Sequence, residues 1–296
     1  MVLKSALLVK AGVIYNWVQL LSSGWSIVNK GKVLVVGGAG LLGSRLVRAL
    51  LNSEHEVKVL DTRYGELEDV KTSTNLEFVG IGTDELHGGM ADKQIVREAV
   101  EGVDVVYHMA INWDGASWKH QLPAADLFDA NIRGTLNLLE TSKSHGVKHF
   151  LFSSSAAVYG ETERTMSPRR SAGTRVVDEE TVCMPELWDG DPGPAYAIIK
   201  LTTEKLCMMY HYHYGLPVTA FRIEYIFLSE KELGDYANVH VDDVVQAFLL
   251  ATLNNKTYGQ VFNLAYPAPY ISIKKITELL DWRPLRTEEL RRERIR

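Results

Sequence analysis

From Lys32 onward the chain alternates short apolar runs with longer stretches of helical period. The runs read KVLVVG from Lys32, EVKVLD from Glu56, LEFVG from Leu76, VDVVYHMA from Val103, HFLFSSS from His149, PVTAFRI from Pro217 and QVFNLA from Gln260. Most are continuously apolar rather than alternating, which is the pattern of strands buried on both faces of a parallel sheet. Between them the spacing predicts helices ending near Leu51, spanning Lys93 to Val100, Asp126 to His145, Ala195 to Tyr214 and Asp243 to Leu253, and beginning again near Ile273. Repeated strand–helix–strand units of this kind give an α/β fold with a doubly wound parallel sheet.

Two segments stand outside that rhythm. Residues 1–30 are rich in Leu, Val, Ile and Trp and precede the first strand; they read as a helical N-terminal extension or as an unneeded upstream stretch of reading frame. Lys10 breaks their apolar run well short of the ~20 residues a membrane span needs, so no membrane association is expected. The second segment, Glu161 to Pro194, is rich in Pro and charge and reads as an excursion from the sheet. With 296 residues and 46% apolar composition the chain can bury a full α/β core. The expected organisation is the extension at 1–30, a dinucleotide-binding domain at 31–222, and a small C-terminal substrate lobe at 223–296, interleaved with the last elements of the sheet.

Charge and cysteine content narrow the function. A formal net charge of -5 supplies no basic field, so nucleic acid is not an expected partner. Two cysteines without metal-ligand spacing fit a reducing, cytoplasmic setting. No metal is expected: His211 and His213 are two apart on a predicted helix and do not face one another.

The run Gly37-Gly38-Ala39-Gly40-Leu41-Leu42-Gly43 ends the first strand and opens a helix. Glycine permits the tight turn and lets backbone N–H groups approach a pyrophosphate, while the helix N-terminus favours the anion. Asp61 ends the second strand 21 residues after Gly40, where its carboxylate can accept the ribose hydroxyls of NAD and repel a 2'-phosphate. The pairing marks a Rossmann-type sheet and favours NAD as cofactor. Arg63 leaves NADP as the less favoured choice, since an arginine there can accommodate the 2'-phosphate.

Tyr196 and Lys200 lie four apart in a predicted helix and therefore on one face. Tyr270 and Lys274 repeat the spacing, but only Tyr196 follows the glycine loop, Asp61 and the strand-end run Ser153-Ser154-Ser155 in order. Lowering a tyrosine pKa by ~3 units from 10 takes about 4 kcal/mol of differential stabilisation, which a neighbouring ammonium and a positive nicotinamide ring can provide. The set suits hydride transfer: a serine orients the substrate hydroxyl and Tyr196 takes its proton.

In family order, VVGGAGLLGSRL, Asp61, VDVVYHMAI, ANIRGTLNLLE, HFLFSSSAAVYGE, AYAIIK, FRIEY and VHVDDVVQAFLLA make the chain resemble an extended short-chain dehydrogenase/reductase of the NAD-dependent sugar-nucleotide epimerase/dehydratase family, with UDP-glucose 4-epimerase-like members. The resemblance implies Ser155, Tyr196 and Lys200 as catalytic residues, with Gly37, Gly40, Leu41, Leu42, Gly43, Asp61, Arg63, Ala110, Asn131 and Lys200 along the cofactor. It also implies a homodimer through two long helices. Ala156 and Ala157 follow Ser155 where the dehydratase branch carries acids, so the resemblance points to epimerisation of a nucleotide sugar by transient oxidation.

The chain departs from that pattern in several places. Gly89 stands where an acidic residue usually meets the adenine. The excursion carries Arg164, Arg169, Arg170 and Arg175. Only seventeen residues separate Arg222 from His240, where the family carries an asparagine, a turn and a long nucleotide-gripping lobe. An open site would retain a keto intermediate poorly. A simple NAD(P)-dependent reductase or dehydrogenase, and a cofactor-binding regulatory protein with a lost substrate site, therefore stand beside the epimerase reading. Asp242 is expected to cap the helix that follows His240.

Overall fold

The computed structural model describes residues 31–84, 88–112, 124–160, 176–188, 193–234 and 237–295. The N-terminal extension and the four arginines of the excursion lie outside the described residues. Gly31–Arg296 forms one compact unit.

The first half builds as the pattern predicts: β1 (Lys32–Val36), α1 (Leu41–Asn52), β2 (Glu56–Leu60), β3 (Leu76–Val79), α2 (Lys93–Val100) and β4 (Val105–His108). A short helix α3 (Ala124–Phe128) runs through a π-helical turn, Asp129–Arg133, into α4 (Gly134–Ser144), so the predicted single helix is broken by one wide turn. Then come β5 (His149–Ser155), α5 (Pro194–Tyr214) and β6 (Val218–Ile223). The C-terminal part adds β7 (Ile226–Phe227), β8 (Val239–His240), α6 (Val241–Thr252), β9 (Gln260–Leu264), α7 (Lys274–Leu280) and α8 (Leu285–Ile295).

Seven strands form one parallel sheet in the order β3-β2-β1-β4-β5-β6-β9, and β7 pairs with β8 in a separate two-stranded parallel ribbon. The order reverses between β1 and β4, which opens a crevice at the carboxyl ends of the strands, where ligands bind in such sheets. Parallel strands need both faces covered, and the sequence supplies this: Leu34, Val106, Phe150, Val218 and Ala220 pack in one apolar core with Val96, Leu138 and Cys207 of the helices. α5 starts on Pro194, whose missing N–H costs nothing at a first helical turn, and stops at Gly215 in a left-handed conformation.

The entry to α6 differs from expectation. His240, not Asp242, is the N-cap: its Nδ1 accepts the Asp242 N–H at 3.2 Å. Asp242 already lies inside the first turn, where its charge suits the helix dipole but its side chain cannot reach back as a cap. The next residue, Asp243, is buried and accepts N–H groups from Arg286 and Thr287 and the Thr287 hydroxyl, so one helix caps another.

Candidate active site

The glycine loop folds as a cradle because two of its positions tolerate no side chain. Gly37 has φ +75, and a Cβ there would lie 2.6 Å from the backbone of Ala110; a Cβ on Gly43 would press on the Gly37 carbonyl and come within 2.8 Å of Gly38 Cα. Gly40 is the N-cap of α1 with no side-chain capping bond, and no acidic residue occupies the first turn. The orphan N–H groups and the helix dipole are therefore left for an anion.

Asp61 is tied into this cradle. Its carboxylate accepts the Ala39 N–H at 2.9 Å and the Thr62 N–H at 2.8 Å. Burial raises its pKa, against the pull of the amides of Ala39, Thr62 and Arg63 and the Arg63 charge. Glycine loop and acid face one cleft of about 330 Å³, whose lining includes Gly37, Gly40, Leu41, Leu42, Gly43, Asp61, Arg63 and Ala110. Gly88, Gly89 and Met90 form a further wall. A carboxylate has about four acceptor sites, so capacity remains beyond the backbone bonds. The cleft fits a dinucleotide with its pyrophosphate on the loop and a ribose against Asp61, and Gly89 presents backbone rather than an acid to the base.

Asn131 and Lys200 lie behind that cleft, around a small cavity that shares Ala110 and Ile111 with it. The Asn131 carboxamide is fully engaged: Oδ1 accepts the Asn112 N–H at 2.7 Å, and Nδ2 donates to the carbonyls of Asn112 and Leu127. It holds the cleft-lining loop after β4 from behind. The Thr135 hydroxyl donates to the Asn131 carbonyl and so must accept from His108 Nε2 at 2.9 Å, which fixes His108 as the Nε2–H tautomer. Burial and the Lys200 charge push the His108 pKa down to about 3.

The three sequence-predicted catalytic residues are brought together. Ser155 ends β5, and its hydroxyl is near enough to the Tyr196 phenol to hold down the phenol pKa. Lys200, one turn on, donates to the Ser153 carbonyl at 2.7 Å, with its Nζ 5.8 Å from the Tyr196 ring centroid. Burial dominates both titrations. It raises the phenol pKa, opposed by the Ser155 hydroxyl, and it lowers the Lys200 ammonium to about 7. In the protein alone the expected lowering of Tyr196 is thus absent. Desolvation governs both groups, and lowering the phenol needs more positive charge in the site.

Sequence reasoning missed the network beneath. Glu204, four residues after Lys200 on the same face of α5, holds Arg222 through two bonds of 2.7 and 3.0 Å and accepts the Ser154 hydroxyl at 2.7 Å. Arg222 also donates to the Tyr159 phenol, which donates to Asn263 at 2.6 Å. The Arg222 pKa stays above its usual value because Glu204 overcomes the burial cost. The signal was present as the third member of the Tyr196–Lys200–Glu204 stripe. The second Tyr-x-x-x-Lys match is structural: Tyr270 is buried and accepts the Ala237 N–H at 2.7 Å. His211 donates from Nδ1 to the Leu216 carbonyl at the end of α5. Among the described residues no helix is long and apolar enough to cross a membrane.

Residues 33–235 match the model of the NAD dependent epimerase/dehydratase family. The uncharacterized UDP-glucose epimerase YtcB of Bacillus subtilis (strain 168) is 31% identical over 201 residues, 64% of this chain and 55% of that protein, so the chain spans about half the length of that relative. Among solved structures, the UDP-glucuronic acid 4-epimerase of Bacillus cereus in complex with UDP-glucuronic acid and NAD superposes with a TM-score of 0.66 at 21% identity, covering 88% of this chain and 96% of that one. A mutated uronate dehydrogenase gives 0.67 at 25% identity, covering 90% and 85%. The chain belongs to the NAD dependent epimerase/dehydratase family.

Proposed function

We propose that this chain is an NAD-dependent epimerase-like oxidoreductase that acts on a nucleotide sugar by transient hydride transfer. The observation that carries the reading is that Ser155 at the end of β5, Tyr196 and, one turn on, Lys200, which donates to the Ser153 carbonyl at 2.7 Å, come together at the strand ends that carry the glycine cleft. Gly37, Gly40, Gly43 and Asp61 would hold the dinucleotide, and Ala110 would line its path toward Lys200. When bound, NAD supplies the hydride acceptor and a positively charged ring. Ser155 orients the substrate hydroxyl, Tyr196 removes its proton, and Lys200 favours the phenolate by its charge. Asp61 favours NAD over NADP by repelling a 2'-phosphate. The nucleotide sugars named for the relatives, UDP-glucose and UDP-glucuronic acid, are the substrates of first choice.

The test is a search for dinucleotide carried by the purified protein, followed by incubation with those sugars and chromatography of the products. Epimerised sugar without net change in NAD, lost in Tyr196→Phe, is the expected result. A protein that binds neither NAD nor NADP would overturn the proposal. One observation favours a second reading. Among the described residues, β7, a short helical turn at Glu230–Glu232 and β8 stand between Arg222 and α6, where the family carries a longer lobe. A dehydrogenase that releases its oxidised product tolerates that openness, and net reduction of added NAD would identify it.

A further inference from the structure

Three residues of α5 at four-residue spacing meet three consecutive residues at the end of β5. Tyr196 lies beside the Ser155 hydroxyl, Lys200 donates to the Ser153 carbonyl at 2.7 Å, and Glu204 accepts the Ser154 hydroxyl at 2.7 Å. The first two contacts belong to the hydride-transfer set. The third lies beneath them, with Ser154, Glu204 and Arg222 all buried.

Ion pairing alone does not call for Ser154. The Arg222 guanidinium already donates to both oxygens of Glu204, at 3.0 and 2.7 Å, and neutralises the carboxylate. Ser154 is in register with Arg222 across β5 and β6, so the two side chains converge on Glu204 from adjacent strands. What the hydroxyl adds is a direct tie from α5 to β5, ~6 Å along the helix axis from Lys200. Arg222 stiffens that tie, because it also donates to the Tyr159 phenol and the Glu179 carbonyl. Lys200 depends on such a pin. Among the described residues both of its hydrogen bonds go to Ser153, to the carbonyl at 2.7 Å and to the hydroxyl at a long 3.5 Å. An ammonium on a flexible stem is then placed by where the strand end and the helix backbone stand relative to each other. Misplacement of a reacting group by about 1 Å is enough to cost much of its rate.

Resting on the hydride-transfer reading, we infer that Ser154 and Glu204 are positioning residues, whose hydrogen bond holds α5 against the end of β5 so that Lys200 and Tyr196 meet Ser153 and Ser155. Both act through Lys200 and Tyr196 rather than on the substrate. Without the tie the ammonium drifts from the phenol, and the phenolate loses the positive charge that favours it. The glycine cleft is built on β1, α1 and β2 and keeps its cofactor contacts, so the loss falls on rate rather than on cofactor affinity.

Ser154→Ala removes the tie and leaves the Glu204–Arg222 pair in place, while Ser154→Thr keeps a hydroxyl. Both are studied as the full chain loaded with NAD. Ionisation of the Tyr196 phenol is read across pH from the ultraviolet difference spectrum against Tyr196→Phe, and NAD affinity by calorimetric titration. In Ser154→Ala the phenol should ionise about one pH unit higher than in the parent, a roughly tenfold loss of phenolate at neutral pH. Turnover of UDP-glucose or UDP-glucuronic acid should fall about tenfold in kcat, with KM and NAD affinity within about twofold of the parent. Ser154→Thr should restore the titration and the rate. A parental phenol titration and kcat in Ser154→Ala overturn this inference and leave the hydride-transfer reading standing. A loss that Ser154→Thr does not repair also overturns it. A parent chain that binds NAD and turns over neither sugar removes the hydride-transfer reading and this inference with it.

Discussion

Gly40 and Gly43 are two of the three glycines of one motif, and the structure gives them opposite tolerances. A Cβ on Gly40 meets only the Gly37 carbonyl at 3.4 Å, an ordinary contact, and its backbone (φ -79, ψ -179) suits any residue. Gly40→Ala should fold normally: an alanine N-cap costs a few tenths to ~1 kcal/mol and reduced chain entropy returns a similar amount. At ~2–4 °C per kcal/mol for a domain of this size, the melting temperature should move by no more than ~3 °C. A Cβ on Gly43, by contrast, overlaps the Gly37 carbonyl oxygen and lies 2.8 Å from Gly38 Cα, so the loop must shift by about 1 Å to regain contact distance. Overpacking of this kind costs ~1–3 kcal/mol, or roughly 2–12 °C. Both variants should lose NAD affinity, because Gly40 opens the helix that faces the cleft and Gly43 sets the loop; a tenfold loss corresponds to about 1.4 kcal/mol. Thermal melts and calorimetric titration with NAD separate the two. A Gly40→Ala protein that binds NAD as tightly as the parent would refute the placement of the pyrophosphate, and a Gly43→Ala protein of parental melting temperature would refute the packing argument.

Three further outcomes are expected. Asp61→Ser removes the charge facing the ribose pocket and should narrow the preference for NAD over NADP by about tenfold or more, measured as the ratio of dissociation constants. Glu204→Gln leaves Arg222 charged and uncompensated in the core, at a cost of ~3–5 kcal/mol and roughly 6–20 °C in melting temperature; a change below 3 °C in a scanning melt counts against the buried pair. Burial lowers the Lys200 pKa from 10.5 to about 7, so its contribution to stability is fully present above 10.5 and lost as pH falls toward 7. Lys200→Met should therefore be more stable than the parent at pH 7, lack the parent's gain in stability between pH 7 and 10, and lose hydride transfer; urea titrations at several pH values check this.

The sheet was legible because each strand carries its own short apolar run, closed by Gly37, Asp61, Gly80 and Ser155 at β1, β2, β3 and β5. The glycine loop, Asp61 and the Ser155–Tyr196–Lys200 set were legible because their chemistry fixes residue type at fixed spacing. What the pattern hides is partnership across distant elements. Asn131 reads as a residue along the cofactor, and its carboxamide also ties the loop after β4 through the backbone of Asn112 and Leu127. Asp242 reads as the helix cap, and only packing against Arg286 and Thr287 shows Asp243 as the buried acceptor.

The order in which the chain leaves the ribosome meets the Glu204–Arg222 pair from another side. The carboxylate of Glu204 emerges eighteen residues ahead of the guanidinium that neutralises it, and β6, which carries that guanidinium, is the strand that covers the open edge of β5. Until β6 arrives, docking α5 on the sheet would bury an unpaired charge, so the helix is held off and the HFLFSSS edge stays bare. The nascent chain is most exposed to wrong pairing in that interval. Closing it requires one strand that delivers hydrogen bonds and counter-charge together.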